Sequence, residues 1–203
     1  MTRHMTLMRQ LITTCCFAFM TISLNTHAQS IPDGFWDIPW GTSLADAKAK
    51  MLIHQGITVD TRLTNANALM CDGGYFNGKQ IWKYALLFVD NKLCHAKVIL
   101  KPTPSQLIFE YREWVADLTK KYGRPQNIWD DSPVRYGNNQ IPDLILAGKA
   151  HYATAWEFPV NGNPNNTILV EINEALLLTI TYENGRLMRE RVQMQKAKFG
   201  KDL

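Results

Sequence analysis

From Leu107 to Tyr122 apolar residues recur at helical spacing, while before that stretch, and again from His151 onward, the pattern is that of strands. Leu107, Ile108, Tyr111, Trp114, Val115, Leu118 and Tyr122 make one broad face, the pattern of a helix laid on a core. Thr103 is placed to cap it, Pro104 suits the first helical position and Gln106 completes a capping box. Lys120 and Lys121 favour the negative end of the macrodipole, and Gly123-Arg124-Pro125 ends the element. In the preceding stretch, Gln80 to Val89, the residues Trp82, Tyr84, Leu86 and Phe88 fall on every second place. Asp90-Asn91-Lys92 is turn chemistry, and Leu93 to Leu100 returns with Cys94, Ala96, Val98 and Leu100 on one face. A strong amphipathic helix bordered by period-two ribbons restricts the chain to the α+β class with an antiparallel sheet.

Further elements fill in this frame. Ser43 caps a helix over Leu44 to Leu52, Asp46 reaches back to it, and Gly56 is the stop. Strands are expected over residues 57–63, 68–76, 151–158, 167–173 and 176–182, with a loop at 161–166. Residues 126–150 are turn-rich, with Leu144-Ile145-Leu146 as a short apolar segment. Leu187 to Lys198 reads as a strand start passing into a tail or short helix. Phe88-Val89-Asp90-Asn91-Lys92-Leu93 echoes Tyr182-Glu183-Asn184-Gly185-Arg186-Leu187. The expected fold is therefore α+β: an antiparallel sheet of about six to eight strands packed by two main helices. It is built as two degenerate halves, residues 35–102 and 103–195, too short to bury separate cores.

The first 28 residues predict export. Arg3 and Arg9 precede an apolar run, Leu11 to Leu24, and small residues stand at Thr26 and Ala28. That is the secretory pattern, on a stretch too short to span a bilayer comfortably. Residues 29–203 would then form a single periplasmic or secreted α+β domain with no integral membrane span after cleavage. Arg3 and Arg9 are the only leader charges, so the formal net charge of +4 falls to +2. That balance argues against a nucleic-acid partner. The basic cluster at Arg186, Arg189, Arg191, Lys196, Lys198 and Lys201 is interrupted by Glu190 and reads as a solvated tail before a phosphate or membrane patch. Cys15 lacks the small residue expected before a lipidated cysteine. Cys71 and Cys94 remain after cleavage, and an oxidising compartment predicts a disulfide between them. Its loop of about 22 residues would be worth roughly 3 kcal/mol.

No catalytic motif stands out, and no cofactor or metal is expected. His54, His95 and His151 have no close ligand spacing, and a zinc site from His95, His151, Asp130 and Asp131 would need scattered ligands. Asp72 to Gly78 holds three glycines but opens no helix, so it reads as a turn or bulged edge. Strand alternation sends Cys94 and His95 to opposite faces. Asp130, Asp131, Glu157, Glu171 and Glu174 are acid–base candidates by position only, and they read first as solvent-side decoration. Trp36 and Trp40, in an irregular segment, and Trp129, in the turn-rich insert, are lids over the core or anchors for a partner.

Phe35-Trp36-Asp37-Ile38-Pro39-Trp40-Gly41-Thr42-Ser43-Leu44 resembles the opening of many small exported bacterial proteins. The layout is similar to the beta-lactamase-inhibitor-protein-like group and to the small outer-membrane assembly lipoproteins. It departs from them in having one expected helix per half and no lipid-anchor cysteine. The resemblance implies a protein-binding role in the envelope and transfers no functional residue. The expected function is a non-enzymatic binding or assembly module whose partner is an envelope protein or cell-wall component. The alternatives are a hydrolase acting on a wall or sugar substrate through carboxylates, and an inhibitor of a secreted enzyme using loops 73–79 or 161–166.

Overall fold

The computed structural model describes residues 31–130, 137 and 140–199. The leader, Cys15, Cys16, Asp131 and Lys201 lie outside the described residues. A two-residue hairpin comes first, β1 (Gly34–Phe35) and β2 (Ile38–Pro39), followed by helix α1 (Leu44–Ile53). Then come β3 (Thr58–Val59), β4 (Ala68–Asp72), the small hairpin β5 (Tyr75–Phe76) and β6 (Lys79–Gln80), and the long pair β7 (Lys83–Val89) and β8 (Lys92–Leu100). Helix α2 (Leu107–Tyr122) leads into β9 (Asn127–Asp130), the short helix α3 (Ile141–Leu146), β10 (Tyr152–Val160), β11 (Asn163–Ile172), β12 (Leu178–Glu183) and α4 (Gly185–Phe199).

Eight strands form one antiparallel sheet in the order β3-β4-β7-β8-β12-β11-β10-β9. The order is symmetric: four strands that follow α1 meet four that follow α2 at the β8–β12 seam, where Val98 pairs with Ile180 and Ala96 with Tyr182. The α+β class and the helix-then-strands plan of both halves thus stand in the structure. One sheet face carries the main core, in which Ala47 and Met51 of α1 and Tyr111, Trp114, Leu118 and Tyr122 of α2 join Tyr84, Val98, Trp156, Val170 and Ile180. The other face mixes polar with apolar side chains. There Glu171 accepts from Thr179 Oγ1 at 3.1 Å, and His95 Nδ1 donates to Glu183 Oε1 at 3.0 Å.

Several expectations need correction. The Cys71–Cys94 disulfide does not form: both thiols are free and buried. Cys71 lies on β4 and Cys94 on β8, with β7 between them. Two strand spacings, about 9.5 Å, exceed the Cα separation a disulfide can bridge. The cysteines also join different clusters, Cys71 the main core and Cys94 a small one with Val89 and Leu187. A register shift after Leu87 explains this, because Leu87 pairs with His95 while Phe88 pairs with Leu93. Cys94 is the extra residue of that bulge, so Leu93 takes the core place and the expected Cys94-Ala96-Val98-Leu100 face begins at Ala96.

Helix α2 starts at Leu107, not at Pro104. Thr103 does not cap it, since the Thr103 carbonyl accepts from Gln106 N at 2.9 Å and closes a turn that precedes the helix. Residues 185–199 form a full helix rather than a strand start, because Asn184 accepts from Leu187 N through its side chain and from Met188 N through its carbonyl. No described helix is long and apolar enough to cross a membrane.

Candidate functional site

Trp36 sits where the chain asks for glycine. The β1–β2 loop has two residues between the paired Phe35 and Ile38, and Trp36, its first, has φ +60°. Two-residue loops with a positive φ at the first position favour glycine there. A bulky residue in the left-handed region is an outlier that costs roughly 1–3 kcal/mol and persists only where its surroundings hold it. Here the indole lies flat on the His54 ring, centroids 3.5 Å apart and 10° from parallel. His54 in turn contacts Asp37 Oδ1 at 3.4 Å, and Lys50 Nζ donates to the Asp37 carbonyl at 2.7 Å. The hairpin closes tightly because Gly34 has no side chain; a Cβ there would stand 2.2 Å from the Ile38 carbonyl oxygen.

Trp36 opens onto a pocket of about 500 Å3 whose walls are Phe76, Trp114 and Tyr182, with Asn77, Asp117 and Lys121 at its polar side. The aromatic walls pack on one another. Phe76 stacks on Trp114 (5.8 Å) and on Phe35 (5.5 Å), and its contact with Trp36 is edge-on at 5.3 Å. Tyr182 is buried, and burial drives its phenol far above the usual range, so it stays neutral. The buried indole N–H of Trp114 and the hydroxyl of Tyr84 have no hydrogen-bond partner among the described residues. A buried donor without a partner costs about 1–3 kcal/mol.

The pocket depends on the β5–β6 hairpin, which is strapped across α2. Asn77 Nδ2 donates to Asp117 Oδ2 at 3.3 Å and Lys79 Nζ to Glu113 Oε2 at 2.6 Å. Asn77 and Gly78 at its tip have φ +51° and +74°, the Asn-Gly form of a tight hairpin turn. Loop 73–79, which an inhibitor would need to protrude, is therefore folded down on the body. Beyond the strap, a groove of about 880 Å3 runs between the segment from Lys79 to Trp82 and the start of α2, with Lys101 and Glu110 on its two walls.

The other residues singled out from sequence are dispersed. Trp40 is a half-buried lid, its indole donating to the Pro32 carbonyl at 2.9 Å. Trp129 is 44% exposed on β9, the edge strand at the far end of the sheet from β3. Glu157 accepts from the amides of Asn127 and Asn165, each at 3.0 Å. Glu171 is held by Thr179 and Lys97, and with Glu174 and His151 it borders a third depression near α3. Glu157 and Glu171 are thus occupied by structural bonds. His95, His151 and Asp130 form no cluster; among the described residues no group of three or more His, Cys, Asp or Glu could hold a metal.

By sequence Trp114 belongs to the core stripe, Asn77 to a turn, and Phe76 and Tyr182 to strands, and nothing singles out Asp117. Their convergence with Trp36 depends on how the strap crosses α2, which no local pattern encodes. The Asn-Gly pair was the one signal for the strap itself. Comparison with known families, with characterised proteins and with solved structures finds no match to this chain.

Proposed function

We propose that the protein is an exported, non-enzymatic binding module of the cell envelope that seats part of a partner molecule in the Trp36 pocket. Trp36 carries the reading. A bulky aromatic is kept in a glycine conformation at the edge of a ring-lined concavity. Backbone strain of this kind clusters at binding and active sites, and concave, largely apolar pockets with a few polar groups are the usual seats of ligands. The leader at residues 1–28 supports the envelope setting.

The test is NMR of the isotope-labelled protein titrated with solubilised envelope proteins and, separately, with cell-wall fragments. Shift changes clustered on Trp36, Asn77 and Asp117, and abolished in Trp36→Ala, are expected with one of the two. Changes absent from these residues, or unaffected by the substitution, would contradict the reading.

A further inference from the structure

We infer that the larger groove, between the start of α2 and the Lys79–Trp82 segment, is a second binding site, for a short peptide with a free ammonium and a free carboxylate. Its charges, sorted by partner, make the case. Asp72 is bonded to Lys83, and Glu113 to Lys79 at 2.6 Å. Two opposite charges are left over. Glu110, on the α2 wall, is half-buried, and its carboxylate takes part in no hydrogen bond or ion pair among the described residues; the cation that acts on it, Lys79, is already bonded to Glu113. Burial raises its carboxyl above the usual range, the mark of a charge desolvated without compensation. Lys101, the residue after β8 on the facing wall, forms no ion pair among the described residues, and its ammonium lies 5.4 Å from the centroid of the Trp82 ring. A ligand carboxylate can meet that ammonium where it stands.

The surface bordering the two charges is apolar. Trp82 is 42% and Phe109 61% exposed. The groove volume of about 880 Å3 lies in the range of small-ligand sites. A neutral sugar would leave both charges unmatched, and a simple anion or cation would match one. A zwitterionic peptide matches both and places its side chain against Trp82 and Phe109. This site is separate from the Trp36 pocket and does not rest on it.

Calorimetry on the full chain at low salt tests the assignment with alanyl-leucyl-alanine and with its N-acetylated and C-amidated forms. The free peptide is expected to bind, and each capped form to bind about tenfold more weakly or worse. Glu110→Gln should erase the discrimination against the N-acetyl form, and Lys101→Met that against the amide, while Lys101→Arg restores it. Trp36→Ala should leave peptide binding unchanged, which separates this site from the pocket. Failure of the free peptide to bind, equal binding of the capped forms, or discrimination that survives in both variants would overturn the proposal. The capped-peptide comparison uses the unaltered protein, so it decides the matter even if a variant misfolds.

Discussion

Trp36 combines two opposed effects in one residue: its backbone is unfavourable and its ring contacts are favourable. The two separate experimentally. Trp36→Ala loses the stack on His54 and keeps an unfavourable left-handed backbone, whereas Trp36→Gly loses the stack and relieves the backbone. The glycine variant should therefore be the more stable of the two by about 1 kcal/mol in urea unfolding, despite its added chain entropy. The reverse order would mean that the loop is not strained. The thiols give a second test. Burial pushes both Cys71 and Cys94 up to about 11, so neither is an accessible thiolate near neutral pH. In a Cys15→Ser, Cys16→Ser background both should resist a thiol reagent at pH 8 and react once denatured, and added reductant should not shift Tm. A drop in Tm with reductant would restore the disulfide. Glu183 sets a pH dependence. The hydrogen bond from His95 is the main cause holding its carboxyl below the usual range, with Thr167 adding a second bond. The unfolded chain then binds more protons than the native one, so stability rises with pH through that window. The Glu183 contribution should be complete above the ordinary glutamate value of about 4.3 and fall away as pH drops below it. Chemical denaturation of Glu183→Gln against wild type between pH 3 and 6 should show a flatter acid limb in the variant.

At the scale of elements, helix α1 shows what a sequence does and does not disclose. Its Ser43 cap was legible, and Ser43 Oγ accepts from Asp46 N at 3.2 Å. A second cap was not. Asn91 Oδ1, in the distant β7–β8 turn, accepts from Leu44 N at 2.9 Å. Nothing local links positions 47 residues apart. Ser43→Ala and Asn91→Ala should each cost about 1 kcal/mol, with the Asn91 change adding the strain of a left-handed alanine at φ +58°. For α2 the apolar stripe was right, but a capping-box pattern was mistaken for the helix start when it closes the preceding turn. The helix is tied to β10 by Tyr111 Oη and Thr154 Oγ1, 2.7 Å apart and buried. Tyr111→Phe strands the threonine hydroxyl and should cost about 1–2 kcal/mol in urea unfolding. A loss below about 0.3 kcal/mol would show that water replaces the bond.

Across the whole molecule, period-two patterning and the faint repeat were enough to foresee one antiparallel sheet shared by two helix-then-strands halves, because alternation and turn chemistry are local properties; the strand order was not legible. The bulge at Cys94, the 15-residue α4 and the strap over α2 were not foreseen, since each is decided by contacts between remote segments. The same division applies to function. Trp36, Trp40 and Trp129 were all plausible anchors by composition, yet of the three only Trp36 borders the aromatic pocket, while Trp40 is bonded as a lid and Trp129 stands on the outer edge strand. Export is tested by the N-terminus of the protein recovered from a Gram-negative periplasm, which should begin near Gln29. The claim that matters most is that an envelope partner occupies the Trp36 pocket. In living cells, a photo-crosslinking phenylalanine analogue replacing Lys121 at the pocket should give a discrete adduct that vanishes when Trp36→Ala is added, while the same analogue replacing Arg189 on α4 gives none. No adduct at position 121, or one indifferent to Trp36, would contradict the account.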